Sequence, residues 1–343
     1  MSIVYPSHKG PWQKQLLSTW LLSVTSFLIL SAACQKRMTT AAAGEEWYLP
    51  TEDKAAQLYV YEFGQGDPVV VLHGGFGAEH SYLLDAVQGL EGEFHFIFYD
   101  QRGSLRSPCK AENISFEKHV RDLETLRQAL GLERMKIFAH SAGTLLAMRY
   151  LQEHPQHVSK LALVGAVFPK NGSRYFTAEE LRMADSGKED FKRFVERPAV
   201  AAELDKAGLN HPNLKAKEQT ERWRIQFAAA NIYHIEKWRR MKGGRVFYNE
   251  VAGQAATRTI PQEYDFASAL AVHPDSITVI NGSYDLLVDL KPGGFLWKKL
   301  KETELKNLRL VMIDKAGHNV WVDEPDTFRS ELRKALIGGF TWP

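Results

Sequence analysis

The sequence predicts an α/β protein with a mostly parallel central sheet, helices on both faces and an inserted helical segment. Apolar, strand-like runs alternate with amphipathic helical patterns between residues 57 and 164. Strand-like runs return at residues 277–280 and 308–313, and the stretch between these two blocks is mostly helical. The chain has 343 residues, of which 44% are hydrophobic, so a sizeable core can be filled.

The charge and cysteine content exclude several classes of protein. The 43 Lys and Arg residues nearly balance the 41 Asp and Glu residues, and the two signs are interspersed rather than gathered in a basic stripe. A nucleic-acid partner is therefore not predicted. Cys34 and Cys109 are too few for a disulfide framework, and Cys109 is expected to be an unpaired thiol in a loop.

The core is expected to occupy residues 48–167 and 271–343. Residues 68–72 form a continuous apolar run, which is typical of a parallel strand buried on both faces. The rest of the alternation comes from strand-like runs at 57–63, 94–99, 135–138 and 161–164 and helical patterns at 116–130, 142–153 and 326–336.

Residues 168–270 are expected to form a helical cap over this core. Thr177 and Glu180 have the spacing of a capping box at a helix start. A long amphipathic run from Lys215 to Lys242 is predicted to end at Gly243. The aromatic residues in this segment are numerous enough to pack on themselves and on a neighbouring layer.

The amino terminus has the pattern of an export signal. Residues 1–15 carry Lys9 and Lys14 and no acid, and residues 16–33 are uncharged and rich in Leu, Ser and Ala. Small residues lead into Cys34, which resembles the processing box of a bacterial lipoprotein whose cysteine becomes lipidated. We expect residues 1–33 to be the signal, Cys34 the lipid site and residues 34–47 a tether; an uncleaved anchor helix and ordinary secretion are the alternatives.

One turn has the context of a serine nucleophile. Residues 138–143 follow a strand and open a helix, with Ser141 at the apex and the small residues Ala139 and Gly143 on either side of it. Strand and helix pass close together at such a turn, so small neighbours are required. An ordinary strand-to-helix turn is the alternative interpretation of this segment.

Glycines after an earlier strand offer a place for an oxyanion. His73, Gly74, Gly75, Phe76 and Gly77 follow the run at 68–72 directly. We assign the oxyanion hole to the amides of Gly75 and Ala142, since two convergent N–H donors stabilise a tetrahedral intermediate. His73 and His140 are expected to orient loops rather than act as bases.

A serine nucleophile needs a base, and the base needs a group that fixes its tautomer. His318 lies in a short turn after the strand at 308–313, and Asp285 lies in a turn after the strand at 277–280. The serine, the acid and the histidine follow one another in this order along the chain, and one known fold with such turns uses the same order. Asp289 is the alternative acid.

Five sequence blocks resemble the α/β-hydrolase superfamily, in particular its proline-iminopeptidase-like branch. The blocks are HGGFG at His73, DQRGS at Asp100, AHSAG at Ala139, GSYD ending at Asp285 and GH ending at His318. The similarity spans about residues 57–340 and implies an α/β-hydrolase fold with a helical cap inserted after the sixth strand. Three residues depart from the branch pattern: Phe76 for proline, Ala139 for glycine and Ala142 for tryptophan.

The resemblance also implies roles for residues around the triad. Arg102 would support the wall of the site rather than take part in the chemistry. Aminopeptidases of this branch hold the free amino group of the substrate with cap glutamates, so the candidate substrate-binding residues are Phe76, Glu221, Glu236 and Trp238. Solvated helix charges are the alternative interpretation of the two glutamates.

These observations predict a serine hydrolase that works through an acyl-enzyme and needs no metal or organic cofactor. The leading expectation is an exopeptidase of the proline iminopeptidase type, acting on small peptides in the bacterial cell envelope and attached to a membrane by its lipid. A carboxylesterase is the close alternative, and an inactive, envelope-tethered binding protein is the alternative from another class. The oligomeric state is not predicted.

Overall fold

The computed structural model describes residues 44–273, 277–287, 295–302 and 308–338. The chain divides into a short unit, residues 1–40, and a large unit, residues 41–343, and all described residues belong to the large one. The predicted signal and Cys34 lie outside the described residues. Within the part of the chain that is described, no helix is both long and apolar enough to cross a membrane.

The centre of the large unit is an eight-stranded sheet. Its strands lie in the order β1, β2, β4, β3, β5, β6, β9, β10. Their bounds, together with those of the separate pair β7 and β8, are β1 Glu45–Pro50, β2 Gln57–Gly64, β3 Asp67–Leu72, β4 Phe94–Tyr99, β5 Met135–His140, β6 Val158–Val164, β7 Lys170–Asn171, β8 Tyr264–Asp265, β9 Ile277–Gly282 and β10 Leu308–Ile313.

Pairing in the sheet is parallel from β4 through β10, and antiparallel at the edge formed by β1 and β2. Val69, Val70, Val71 and Leu72 of β3 have no exposed surface, as expected for a parallel strand covered on both faces. The edge strand β1 begins at Glu45, so the last residues of the predicted tether belong to the sheet.

Ten α-helices lie in the described part of the chain. They are α1 Phe116–Ala129, α2 Ala142–Glu153, α3 Ala178–Val195, α4 Pro198–Lys206, α5 Ala216–Asn231, α6 Glu250–Thr257, α7 Ala267–Val272, α8 Phe295–Glu302, α9 Val320–Asp323 and α10 Pro325–Ile337. Short 3₁₀ turns, such as His80–Ala86, connect several of the strands and helices. Helix α3 begins with the predicted capping box between Thr177 and Glu180.

The insertion leaves the sheet after β6 and returns before β9. Its two ends pair in a short antiparallel ladder, Lys170 with Asp265 and Asn171 with Tyr264. Between these ends lie α3 to α6, and apolar side chains such as Ile225 and Ile232 belong to one buried cluster with the strands of the core. We call residues 168–270 the cap.

The prediction of one long helix from Lys215 to Lys242 is wrong in its second half. Helix α5 ends at Asn231, and Ile232 is extended, with φ −133° and ψ 149°. The backbone N–H groups of Tyr233 and His234 donate to the carboxylate of Asp323 at 2.8 and 2.9 Å. The segment leaves the helix because these donors are bound by a core residue rather than by the preceding turn.

Candidate active site

The loops that follow the parallel strands meet at the carboxyl edge of the sheet. β3, β5, β9 and β10 each lead into a loop or turn that carries a predicted site residue. In open α/β sheets, ligands bind outside this edge. Although the predicted site residues are separated by up to nearly 250 positions in the sequence, they therefore lie in one region of the molecule.

Ser141 stands at a strained turn between β5 and α2. Its backbone has φ 53° and ψ −126°, a conformation that L-residues rarely adopt, and its N–H donates to Val164 O at 2.9 Å. Gly143 is required here, since a Cβ on it would come within 2.7 Å of the carbonyl oxygens of Leu72 and His73. The fully buried Ala139 shows that the other neighbouring position accommodates a methyl group.

His318 and Asp285 form a buried hydrogen-bonded pair. His318 Nδ1 lies 2.8 Å from Asp285 Oδ2, and both side chains are almost fully buried. With the Nδ1 proton donated to the carboxylate, Nε2 of His318 is left as the basic nitrogen. Gly165 makes room for the pair, because a Cβ there would lie 2.8 Å from His318 Nδ1.

Ser141 and His318 both line a cavity of about 340 Å³. Gly75 also lines it, in the left-handed conformation with φ 66°, and Ala142 is the first residue of α2. The N–H groups of the first helical turn have no acceptor within the helix, so the amide of Ala142 is available to a ligand. The described residues around the cavity are Gly74, Gly75, Ala78, Tyr82, His140, Ser141, Trp223, Phe227, Asn231, Gly243, Val246, Tyr248, Leu287, His318 and Asn319.

A buried hydrogen-bond chain connects the three loops of the site. The Gly74 N–H donates to the Tyr82 hydroxyl at 2.7 Å, and that hydroxyl lies 2.8 Å from His140 Nδ1. His140 Nε2 lies 3.3 Å from the backbone oxygen of His318. Since a carbonyl can only accept, His140 carries its proton on Nε2 and accepts from Tyr82 at Nδ1.

The environment of His140 keeps its ring neutral. Burial holds the pKa of His140 well below its ordinary value, and the neighbouring His318 lowers it further. The ring centroids of His140 and His318 are 4.6 Å apart, and Trp321 packs edge-on against His140 at 4.9 Å. A neutral, packed imidazole of this kind positions a loop rather than transfers protons. Sequence reasoning expected such a role for His140 but did not identify Tyr82.

His73 fixes the backbone of the oxyanion loop. Its Nδ1 lies 3.1 Å from Gly74 O, and its Nε2 accepts the N–H of Gln101 at 3.1 Å. Burial lowers the pKa of His73, which is consistent with a neutral ring that donates at one nitrogen and accepts at the other. The loop before Gly75 is therefore held by a side chain that does not line the cavity.

The substrate-binding residues proposed from the resemblance do not line the cavity. Phe76 is buried, with its ring stacked on His119 at 5.1 Å. Trp238 is buried too, and its indole N–H donates to Glu203 at 3.0 Å. Glu236 is exposed and lies 3.3 Å from His234, while Glu221 lies half-buried on α5 near Arg224. The cap residues at the cavity are instead Trp223, Phe227, Asn231, Gly243, Val246 and Tyr248.

Asp289, the alternative acid, lies outside the described residues. Arg102 is buried and donates from Nε and Nη2 to both oxygens of Asp122 at 2.6 Å, with Asp53 as a second partner. These bonds tie the loop after β4 to α1, as expected for a supporting residue.

Two groups of side chains in the described part of the chain have the spacing of metal ligands. Glu124 lies near His154 and His157, and Glu79 lies near His80 and Asp100. Glu124 already accepts from Arg127 and Tyr150, and Asp100 from His80 and Arg106. Neither group is among the residues that line the cavity.

Comparison with known proteins identifies the family. The family model described as alpha/beta hydrolase fold matches residues 67–325. The chain belongs to this family. The match confirms the predicted fold class and establishes that this α/β hydrolase is a hydrolytic enzyme.

This chain is similar both to proline iminopeptidases and to esterases. A proline iminopeptidase of Xylella fastidiosa is 36% identical over 117 residues, which are 33% of this chain and 37% of that relative. The matched part thus spans well under half the length of that protein. The crystal structure of a proline iminopeptidase-related protein from Thermus thermophilus has a TM-score of 0.58 and 21% identity, and covers 86% of this chain and 98% of its own. An esterase from Exiguobacterium antarcticum has a TM-score of 0.61 and 20% identity, and covers 86% and 100%.

The two solved structures share the fold with this α/β hydrolase. At 21% and 20% identity they indicate the fold and not the substrate. The 36% identity to the Xylella fastidiosa proline iminopeptidase supports the branch that the five sequence blocks indicated. The identity of the substrate has to come from the site itself.

Proposed function

We propose that this protein is a serine carboxylesterase that cleaves uncharged esters with a small apolar acyl group. The observation that carries the proposal is the chemistry of the cavity beside Ser141. Apart from Ser141, His140 and His318, its described lining is apolar or aromatic with the neutral amides of Asn231 and Asn319, and it includes no carboxylate. An aminopeptidase has to stabilise the ammonium group of its substrate, and a buried ammonium without an anionic partner is costly.

The reaction would proceed through an acyl-enzyme. Ser141 Oγ attacks the ester carbonyl carbon while His318 Nε2 takes its proton, and Asp285 stabilises the resulting imidazolium. The amides of Gly75 and Ala142 donate to the oxyanion of the tetrahedral intermediate. His318 returns the proton to the departing alcohol, and a water molecule, activated by the same histidine, releases the acid and restores Ser141.

Proline iminopeptidase activity is the second candidate. The observation in its favour is the 36% identity to the Xylella fastidiosa enzyme. That match covers 33% of this chain, so it cannot span the whole of the core and the cap. The cap glutamates that the exopeptidase hypothesis needs, Glu221 and Glu236, are not among the described residues at the cavity.

The cell envelope is the proposed location, with a lipid on Cys34. The support is the sequence of residues 1–34 alone, with its basic start, its uncharged stretch and the small residues before the cysteine. Fatty-acid labelling of the full chain and of Cys34→Ala tests it. Equal labelling and equal membrane association of the two proteins would overturn the lipid on Cys34.

A labelling and turnover experiment tests the catalytic proposal. We expect a fluorophosphonate to label the full chain and not Ser141→Ala, and short-chain acyl esters to be hydrolysed faster than prolyl or alanyl anilides. Absence of labelling in the intact chain would favour the inactive binding protein. Faster turnover of prolyl anilides would favour the exopeptidase.

A further inference from the structure

Exposed apolar side chains surround the mouth of the cavity. Trp223 is 51% exposed, Tyr248 56% and Leu287 48%, and each of them also lines the cavity. Phe227 is exposed as well and stacks on Trp223, with the ring centroids 5.2 Å apart. We call these four residues the cavity rim. Contiguous exposed apolar surface of this kind marks a site of interaction.

Cations flank the cavity rim. Residues 215–248 contain nine Lys or Arg and three Glu, although the whole chain has a net charge of only +2. Arg245 is exposed between the cavity-lining residues Gly243 and Val246. Arg239 packs on the ring of Trp238 with its guanidinium 4.2 Å from the ring centroid, and it lies 3.8 Å from Glu203.

Arg224 has donors that no described residue satisfies. Its guanidinium lies 5.0 Å from the ring centroid of Trp238, and its buried Nε and Nη2 atoms have no hydrogen-bond partner. Burial lowers the pKa of Arg224, and so do the nearby charges of Arg245 and Arg239, whereas the charge of Glu221 raises it. Arg224, Arg239 and Arg245 thus form a cationic cluster whose exposed members are Arg239 and Arg245, and an exposed guanidinium group matches the oxygens of a phosphate.

We propose that the cavity rim and its arginines dock on the surface of an anionic lipid bilayer. The aromatic rings of the rim would enter the boundary between headgroups and acyl chains, and the exposed Arg239 and Arg245 would contact lipid phosphates. The rim residues also line the cavity, so an apolar ester dissolved in the bilayer would reach Ser141 without crossing water. The inference rests on the proposed esterase function and extends it, because uncharged esters dissolved in the bilayer would be the source of substrate.

The charge pattern favours a bilayer over other occupants. A second copy of this chain would bring the same excess of cations to the interface and would be repelled. An acidic protein would satisfy the arginines, but it would not need an open, apolar cavity behind the contact surface. A bilayer supplies phosphates and acyl chains at the depths where the structure offers arginines and aromatic rings.

Quenching of Trp223 fluorescence tests the docking surface. The full chain carrying Ser141→Ala, which cannot consume lipid, is mixed with phosphatidylcholine vesicles whose acyl chains are brominated, with and without phosphatidylglycerol. The signal of Trp223 is the difference between this protein and the same protein carrying Trp223→Phe. Any insertion by residues 1–33, which include Trp12 and Trp20, cancels in that difference.

We expect quenching with phosphatidylglycerol and much less without it. Arg239→Gln with Arg245→Gln should weaken binding to the anionic vesicles about thirty-fold, since each surface cation contributes roughly 1 kcal/mol. The matched control, Lys110→Gln with Arg121→Gln, removes the same charge from exposed positions outside the cap and should leave the quenching unchanged. Equal quenching by neutral and anionic vesicles, or equal loss in the two double variants, would overturn the proposal.

The readout does not depend on catalysis. Hydrolysis of a soluble short-chain ester by the protein with Ser141 intact tests the proposed function separately. Quenching without ester hydrolysis would leave the docking surface standing and remove the esterase. Ester hydrolysis without quenching would overturn the docking surface and leave the esterase function standing.

Discussion

Tyr82 has no place in the sequence motifs, yet it joins the oxyanion loop to the residue before Ser141. Its hydroxyl accepts from Gly74 and donates to His140, which in turn donates to the backbone of His318. One phenol thus supports three loops that come from different strands. The triad residues could be predicted because each follows a strand at a recognisable motif, whereas Tyr82 lies in a 3₁₀ turn, and its position depends on tertiary packing.

Tyr82→Phe should lower kcat about ten-fold on a soluble ester while KM changes little. The ring is kept, but Gly74 and His140 each lose a buried partner, which also lowers the free energy of unfolding by about 1–3 kcal/mol. Tyr150→Phe is the matched control, because Tyr150 is a buried residue whose hydroxyl donates to Glu124 and neither residue lines the cavity. The control should lose stability and keep kcat. Steady-state kinetics on both variants test the positioning role of Tyr82. An unchanged kcat in Tyr82→Phe would contradict that role.

At the scale of elements, the main difference from the prediction is the early end of α5. The amphipathic pattern continued to Lys242, so periodicity alone could not locate the break at Asn231. The break depends on Asp323, about ninety residues later, which binds the N–H groups of Tyr233, His234 and Gly317. The same carboxylate therefore holds both the extended cap segment at Tyr233 and His234 and the loop that carries His318.

Asp323→Asn should reduce both stability and turnover. An amide retains one acceptor oxygen and presents an N–H₂ group where the backbone N–H groups require an acceptor, so about 2 kcal/mol of unfolding free energy is lost. The His318 loop would lose one of its anchors, and kcat should fall with it. Asp326→Asn is the control, since that carboxylate is fully exposed. Urea denaturation and ester kinetics would refute the role of Asp323 if the two variants behave alike.

At the scale of the whole molecule, the sheet and the order of its loops were predictable, and the cap surface was not. Continuous apolar runs such as residues 68–72 specify buried parallel strands, and parallel strands bring their following loops to one edge. The residues of the cap that reach the cavity follow from helix packing angles, which one sequence does not display. Trp238 illustrates this: it was a binding candidate from its position in the chain, and the structure buries it against Glu203.

Buried histidines should make global stability depend on pH. Burial lowers the pKa of His119 to about 3, and both of its ring nitrogens lack a described hydrogen-bond partner. In the unfolded chain the imidazole becomes protonated near pH 6.5, so unfolding takes up a proton, and stability falls as pH falls below that value. By pH 5 the loss from this residue is about 2 kcal/mol.

His119→Phe should remove that loss and preserve the stacking on Phe76. We expect the variant to match the parent in urea denaturation at pH 8 and to exceed it by about 2 kcal/mol at pH 5. The measurement at pH 8 serves as the internal control for packing. Equal destabilisation of both proteins between pH 8 and pH 5 would show that His119 is not responsible.

The two-residue ladder at the base of the cap makes the insertion a replaceable module. Because Lys170 pairs with Asp265, the points where the cap leaves and rejoins the core are neighbours, and a short turn would bridge them. A cap from another hydrolase could be grafted there without moving a strand, provided that its underside supplied apolar side chains in place of Ile225 and Ile232. Evolution of new substrates in this enzyme can then proceed by exchange of one contiguous gene segment, with the triad left in place.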